Sequence, residues 1–153
     1  SLAQAAALLG FELALAVPDA FVLPQEVLAW AADKPGKITL CDTPQAAAEG
    51  AAALVTDCWV SMSDDPETAE KRAAAFAPYQ VTGELMALGD EAIFLHCLPA
   101  YRGNEVTSDV IDGPHSVVFD EAENRCHAQK AVLTYCLHTS ATGGTSATDG
   151  IDG

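Results

Sequence analysis

The chain has 153 residues, one domain's worth of sequence and enough to bury a core. Half of it is apolar and 19% is charged, a balance that excludes disorder over most of its length. Acidic residues number 22 against 7 basic, a formal charge of −15 with no Lys/Arg cluster to offset it, so nucleic acid and anionic membranes are disfavoured partners.

No apolar run approaches the ~20 residues of a spanning helix, and no basic start followed by an apolar stretch marks a secretory leader. The expectation is a soluble protein. The five cysteines, Cys41, Cys58, Cys97, Cys126 and Cys136, are an odd number without a CxxC pair. That usage argues against a disulfide framework and for a reducing, cytoplasmic compartment.

The elements alternate along the chain. Ala/Leu-rich Ser1 to Gly10 predicts a helix stopped by glycine, and Phe11 to Val17 a strand closed by Pro18. Pro24 to Asp33 carries Val27, Leu28 and Ala31 at helical spacing behind an initiating proline. Lys37 to Cys41 reads as a strand, Thr43-Pro44 opens a helix to about Glu49, and Ala52 to Asp57 reads as a strand. Cys58 to Pro66 is polar and loop-like. Helices follow over about Glu67 to Ala75 and Thr82 to Leu88, then a buried strand from Ala92 to Cys97. A Pro/Gly-punctuated loop leads to a short helix near Ser108, a last strand over His115 to Asp120, and a last helix over Asn124 to His138. Residues 1–138 thus read as one domain. Residues 139–153, small, polar and Gly-rich, read as a flexible tail.

Short apolar strands alternating with helices predict an α/β fold, an open parallel sheet with helices on both faces. Ligands of such sheets bind beyond the carboxyl ends of the strands. Three polar segments fall at predicted strand ends: Asp57 to Ser63, His96 to Gly103 and Asp120 to Arg125. Asp57 either caps a turn or offers a carboxylate to an ammonium group, with Ser61 and Met62 adding a hydroxyl, an amide and an apolar wall. The Leu98-Pro99 step removes a donor and turns the chain, through a cis bond if one forms, exposing the Cys97 and Leu98 carbonyls beside the thiol. A cation near Cys97 would lower the pKa of its thiol. Arg125 is either a surface ion-pair residue or a fork for phosphate or carbonyl oxygen.

A metal site is disfavoured, because His96/Cys97 and Cys126/His127 are sequence neighbours and no zinc spacing is present. No GxGxxG follows the first strand, and there is no phosphate-loop lysine motif.

Three segments carry a family resemblance: TDCWVSMS (Thr56 to Ser63), FLHCLPAYRG (Phe94 to Gly103) and VVFDEAENRCHAQKAVL (Val117 to Leu133), with PYQVTGELM (Pro78 to Met86) between them. In order and spacing the chain resembles the second half of the ornithine carbamoyltransferase subunit over about Ser1 to His138. The resemblance implies transfer of a carbamoyl group from carbamoyl phosphate to L-ornithine, giving L-citrulline and phosphate, with no metal or organic cofactor. It implies that Asp57, Ser61 and Met62 bind ornithine and that Cys97 is the catalytic thiol, working with Asp57. It further implies that Cys97, Leu98 and Arg125 contact carbamoyl phosphate and that full-length subunits form trimers.

The chain departs from the family pattern in two places. Ser63 stands where the family usually has a glycine free to take positive φ. The family's first domain, with its phosphate-gripping segment, and the central strand that precedes Ser1 are missing. The expected fragment therefore has a sheet without its first central strand and is inactive alone. A related carbamoyltransferase acting on putrescine or another amine, and a non-catalytic binding remnant, are the competing readings.

Overall fold

The computed structural model describes residues 1–60 and 65–142, with side chains through residue 138. It contains helices α1 (Leu2–Leu9), α2 (Gln25–Ala31), α3 (Pro44–Ala48), α4 (Pro66–Phe76), α5 (Gly83–Met86), α6 (Ser108–Ile111) and α7 (Val118–Thr142). Its strands are β1 (Glu12–Leu15), β2 (Lys37–Leu40), β3 (Ala53–Thr56) and β4 (Ile93–His96). None of the described helices is long and apolar enough to cross a membrane.

Local chemistry accounts for the boundaries. Gly10 takes the left-handed conformation (φ 80°) and returns its amide to Ala6 O, ending α1 as a C′ glycine does. Thr43, Asp65 and Thr82 cap α3, α4 and α5 by accepting the amides of Ala46, Thr68 and Leu85. Gly36 passes so close to α1 that a Cβ there would lie 1.9 Å from Ala6 O. The α1–β2 packing therefore requires a residue without a side chain.

The fold is α/β and every strand pair is parallel, but the sheet is divided. β1 pairs with β2 and β3 with β4, and no ladder joins the two pairs among the described residues. A cavity of about 170 Å³ is lined by residues 13–16 from β1 and its end, residues 53–56 of β3, and Leu2 at the start of α1. The break in the sheet thus falls between β1 and β3.

The core lies on the β3–β4 side, where Phe94 is fully buried among Leu54, Val81, Leu85, Val106, Val110 and Val118. β1 and β2 contain no fully buried residue, contrary to the expectation of strands covered on both faces.

The predicted last strand is not formed. His115–Asp120 contributes a single bridge, Ser116 against Phe94, held by the Phe94 amide to His115 O (2.8 Å) and the Val117 amide to Phe94 O (3.0 Å). The chain then turns helical at Val118, ahead of the predicted start at Asn124. The acidic first turn, Asp120 and Glu121, complements the helix N-terminus, and the good helix formers downstream outweigh a short β preference. The expected third strand end, Asp120 to Arg125, is accordingly helix.

The chain divides into two compact units, residues 1–118 and 119–153, the second containing nearly all of α7. In that unit Phe119, Val132, Leu133, Tyr135 and Leu137 are exposed. Residues 139–142 of the predicted tail continue α7, and the rest of it lies outside the described residues.

Candidate active site

β3 and β4 run in register, Thr56 opposite His96, so the next residues of each chain, Asp57 and Cys97, leave the ladder side by side. Cys97 Sγ donates to Asp57 Oδ1 at 3.0 Å. The same carboxylate oxygen accepts the Cys58 amide at 2.7 Å. Trp59, buried, stacks on Phe76 of α4 with ring centroids 6.2 Å apart, and Phe76 in turn meets Phe21 and Tyr79. This aromatic cluster anchors the loop after β3 while Asp57 stays open to solvent.

The turn after β4 is tied down as firmly. Leu98-Pro99 is a cis peptide and Leu98 has φ 53°. Gln80 donates through Nε2 to Gly103 O and Asn104 O (2.8 and 2.6 Å), and the Val81 amide reaches Glu105 O at 2.9 Å.

The charge beside the thiol is an anion, Asp57, so the condition for a lowered pKa is not met. Partial burial and the Asp57 carboxylate that Cys97 faces push its pKa up to about 12. Arg102, the cation of the same loop, is held by Asp112 in two hydrogen bonds of 2.9 and 2.6 Å. Burial works to raise the Asp57 carboxyl, but the hydrogen bonds from Cys97 and Cys58 outweigh it and hold it below the usual carboxylate range. Burial and Asp57 also push the Cys58 thiol up. The pair is a neutral thiol donating to a charged carboxylate, so at neutral pH the anion of the pair is Asp57. Only the thiolate attacks iodoacetamide, so the Cys97 alkylation rate is expected to climb about tenfold per pH unit from pH 7 to 10. A plateau within that range, read by peptide mass spectrometry, would contradict the assignment.

Of the residues singled out from sequence, Asp57, Cys97 and Leu98 come together at the ends of β3 and β4. Arg125 is exposed on α7, in the second unit. Ser61 and Met62, with Ser63, lie outside the described residues. Sequence reasoning passes over Trp59 and Glu105. A bulky aromatic two residues beyond a strand end was a usable signal for Trp59, whereas Glu105, flanked by Asn104 and Val106 in a polar loop, carried none.

Residues 1–136 match the family model for the Asp/Orn-binding domain of aspartate/ornithine carbamoyltransferases. The chain belongs to that family. It is 51% identical over 138 residues to the ornithine carbamoyltransferase of Mesorhizobium japonicum, a match covering 90% of this chain and 45% of that protein. Ornithine carbamoyltransferase from Pyrococcus furiosus superposes with a TM-score of 0.80 at 43% identity, over 87% of this chain and 44% of that one. The anabolic ornithine carbamoyltransferase of Campylobacter jejuni gives 0.83 at 33% identity, over 91% and 47%. The chain therefore spans a little under half the length of the carbamoyltransferases it matches.

Proposed function

We propose that this chain supplies the amine-binding half of an ornithine carbamoyltransferase. The observation that carries the reading is the 3.0 Å contact between Cys97 Sγ and Asp57 Oδ1 where two parallel strands end. It sets a charged acceptor and a polarisable thiol at the place where open α/β sheets bind ligands.

Asp57 offers its anion to an ammonium group of L-ornithine, and the resemblance assigns Ser61 and Met62 to the same substrate. The attacking δ-amine gives up a proton to the Asp57 carboxylate as its C–N bond to the carbamoyl carbon forms, and the C–O bond to phosphate breaks with its electrons leaving on phosphate. The resemblance assigns Cys97, Leu98 and Arg125 to carbamoyl phosphate, with the single S–H of Cys97 held by Asp57. Negative charge growing on the carbamoyl oxygen is what a cation such as Arg125 stabilises. Much of the acceleration comes from holding the two substrates in attack geometry. The products are L-citrulline and phosphate, the reaction belongs to arginine metabolism in the cytoplasm, and the full-length subunit works as a trimer.

On this reading the 153-residue chain does not turn over by itself. Supplied with carbamoyl phosphate and L-ornithine, it is expected to form no citrulline above background, while co-expression with the first half of the Mesorhizobium japonicum subunit restores formation. Turnover by the isolated chain at ordinary enzymatic rates, about 1 per second or more, would overturn the division of labour. Carbamoylation of putrescine in preference to ornithine would overturn the substrate.

A further inference from the structure

Two ionisable side chains next to the Asp57–Cys97 pair take no part in the proposed reaction. His96 and Glu105 are both 0% exposed, the buried polar side chains among the described residues. Groups of this kind are buried only where hydrogen bonds compensate for lost water. His96 Nε2 lies 3.2 Å from Glu105 Oε1. The same oxygen accepts the Tyr101 amide at 2.7 Å. On the other side of the ring, the Leu98 amide donates to His96 Nδ1 at 2.8 Å.

A ring nitrogen that accepts from an amide carries no hydrogen, so Nε2 bears the proton and donates to Glu105. Glu105 thereby selects one tautomer and one orientation of His96. The ring then fixes the Leu98 amide, in a residue whose φ of 53° a branched side chain seldom adopts unaided. Through its second contact Glu105 fixes the Tyr101 amide as well. The turn that presents Cys97 is held at both ends by one buried carboxyl group.

We infer that Glu105 is a positioning residue for Cys97, acting through His96 to fix the Leu98 backbone and so keep the thiol on Asp57. The inference deepens the proposed function, since it rests on Cys97 as the working thiol.

The test compares Glu105→Ala with Glu105→Gln in the 153-residue chain. Glu105 Oε2 is buried without a hydrogen bond among the described residues. The amide nitrogen of the glutamine can therefore stand there while its oxygen keeps both contacts. The readout is iodoacetamide labelling of Cys97 at pH 8, resolved by peptide mass spectrometry, with Cys41 on the other sheet as internal control and circular dichroism to verify folding. In the alanine variant Cys97 is expected to label at least fivefold faster, with Cys41 unchanged. The glutamine variant is expected to stay within twofold of the parent.

A folded alanine variant that labels at the parental rate overturns the inference, as does a glutamine variant that behaves like alanine. Should the alanine variant fail to fold, long-range ¹H–¹⁵N spectra of the unmodified chain decide the matter. A His96 ring protonated on Nε2 alone supports the relay, and a proton on Nδ1 overturns it. Neither readout requires turnover, so failure of the carbamoyl-transfer reading and failure of the relay are separately visible.

Discussion

Asp57→Asn, in a protein carrying both halves of the subunit, is expected to lower citrulline formation by about a thousandfold, within the range for a group that handles protons in the transition state. The substitution keeps the shape of the side chain and removes its charge. Asp57 holds the thiol of Cys97 at 3.0 Å and stays below the usual carboxylate range, so it is the anion of the site at neutral pH. Its loss leaves an ornithine ammonium without a counter-charge and releases the thiol. Cys97→Ala is expected to cost less, about a hundredfold, because a neutral donor contributes less than a full charge, and without unfolding the protein, since Cys97 is exposed. Steady-state citrulline assays on the two variants rank the effects. A Cys97→Ala protein with wild-type kinetics would remove the thiol from the mechanism, and a fully active Asp57→Asn would remove the carboxylate.

The second large effect concerns stability. Phe94 is fully buried at the centre of the main core, and its backbone receives the Ser116 bridge as well as the β3 ladder. Phe94→Ala removes the ring and leaves a cavity, a change that costs about 3–5 kcal/mol, against a total stability of about 5–15 kcal/mol for an ordinary domain. Urea unfolding followed by circular dichroism should show a large drop in midpoint or no folded baseline. Leu13→Ala, in a strand without a fully buried residue, is expected to be milder. Equal losses at the two positions would mean that the core is not concentrated around β4.

Much of this arrangement could be read from the residues before any coordinates. The Gly10 stop, the threonine before Pro44 and the apolar runs at residues 53–56 and 93–96 act through local chemistry, and each lies within a residue or two of its predicted place. The meeting of Asp57 and Cys97 was also legible, because strand ends of a parallel sheet converge on one rim. His115–Asp120 was misread because a β-like pattern competes there with a strong helix former, and one bridge is too little pairing to hold a strand. The thiol's high pKa was out of reach for a different reason. It depends on which charge lies within 3 Å, and Arg102, four residues before Val106, turns to Asp112 instead. Glu105 illustrates the same limit, since nothing in a polar loop marks which acid is folded inward.

Whether Asp57 and Cys97 form one amine-binding site is decided by titrating L-ornithine calorimetrically into the 153-residue chain. A saturable heat is expected for the parent chain and is expected to disappear in Asp57→Asn. A parent chain that stays thermally silent while folded, or an Asp57→Asn chain that binds as the parent does, would contradict it.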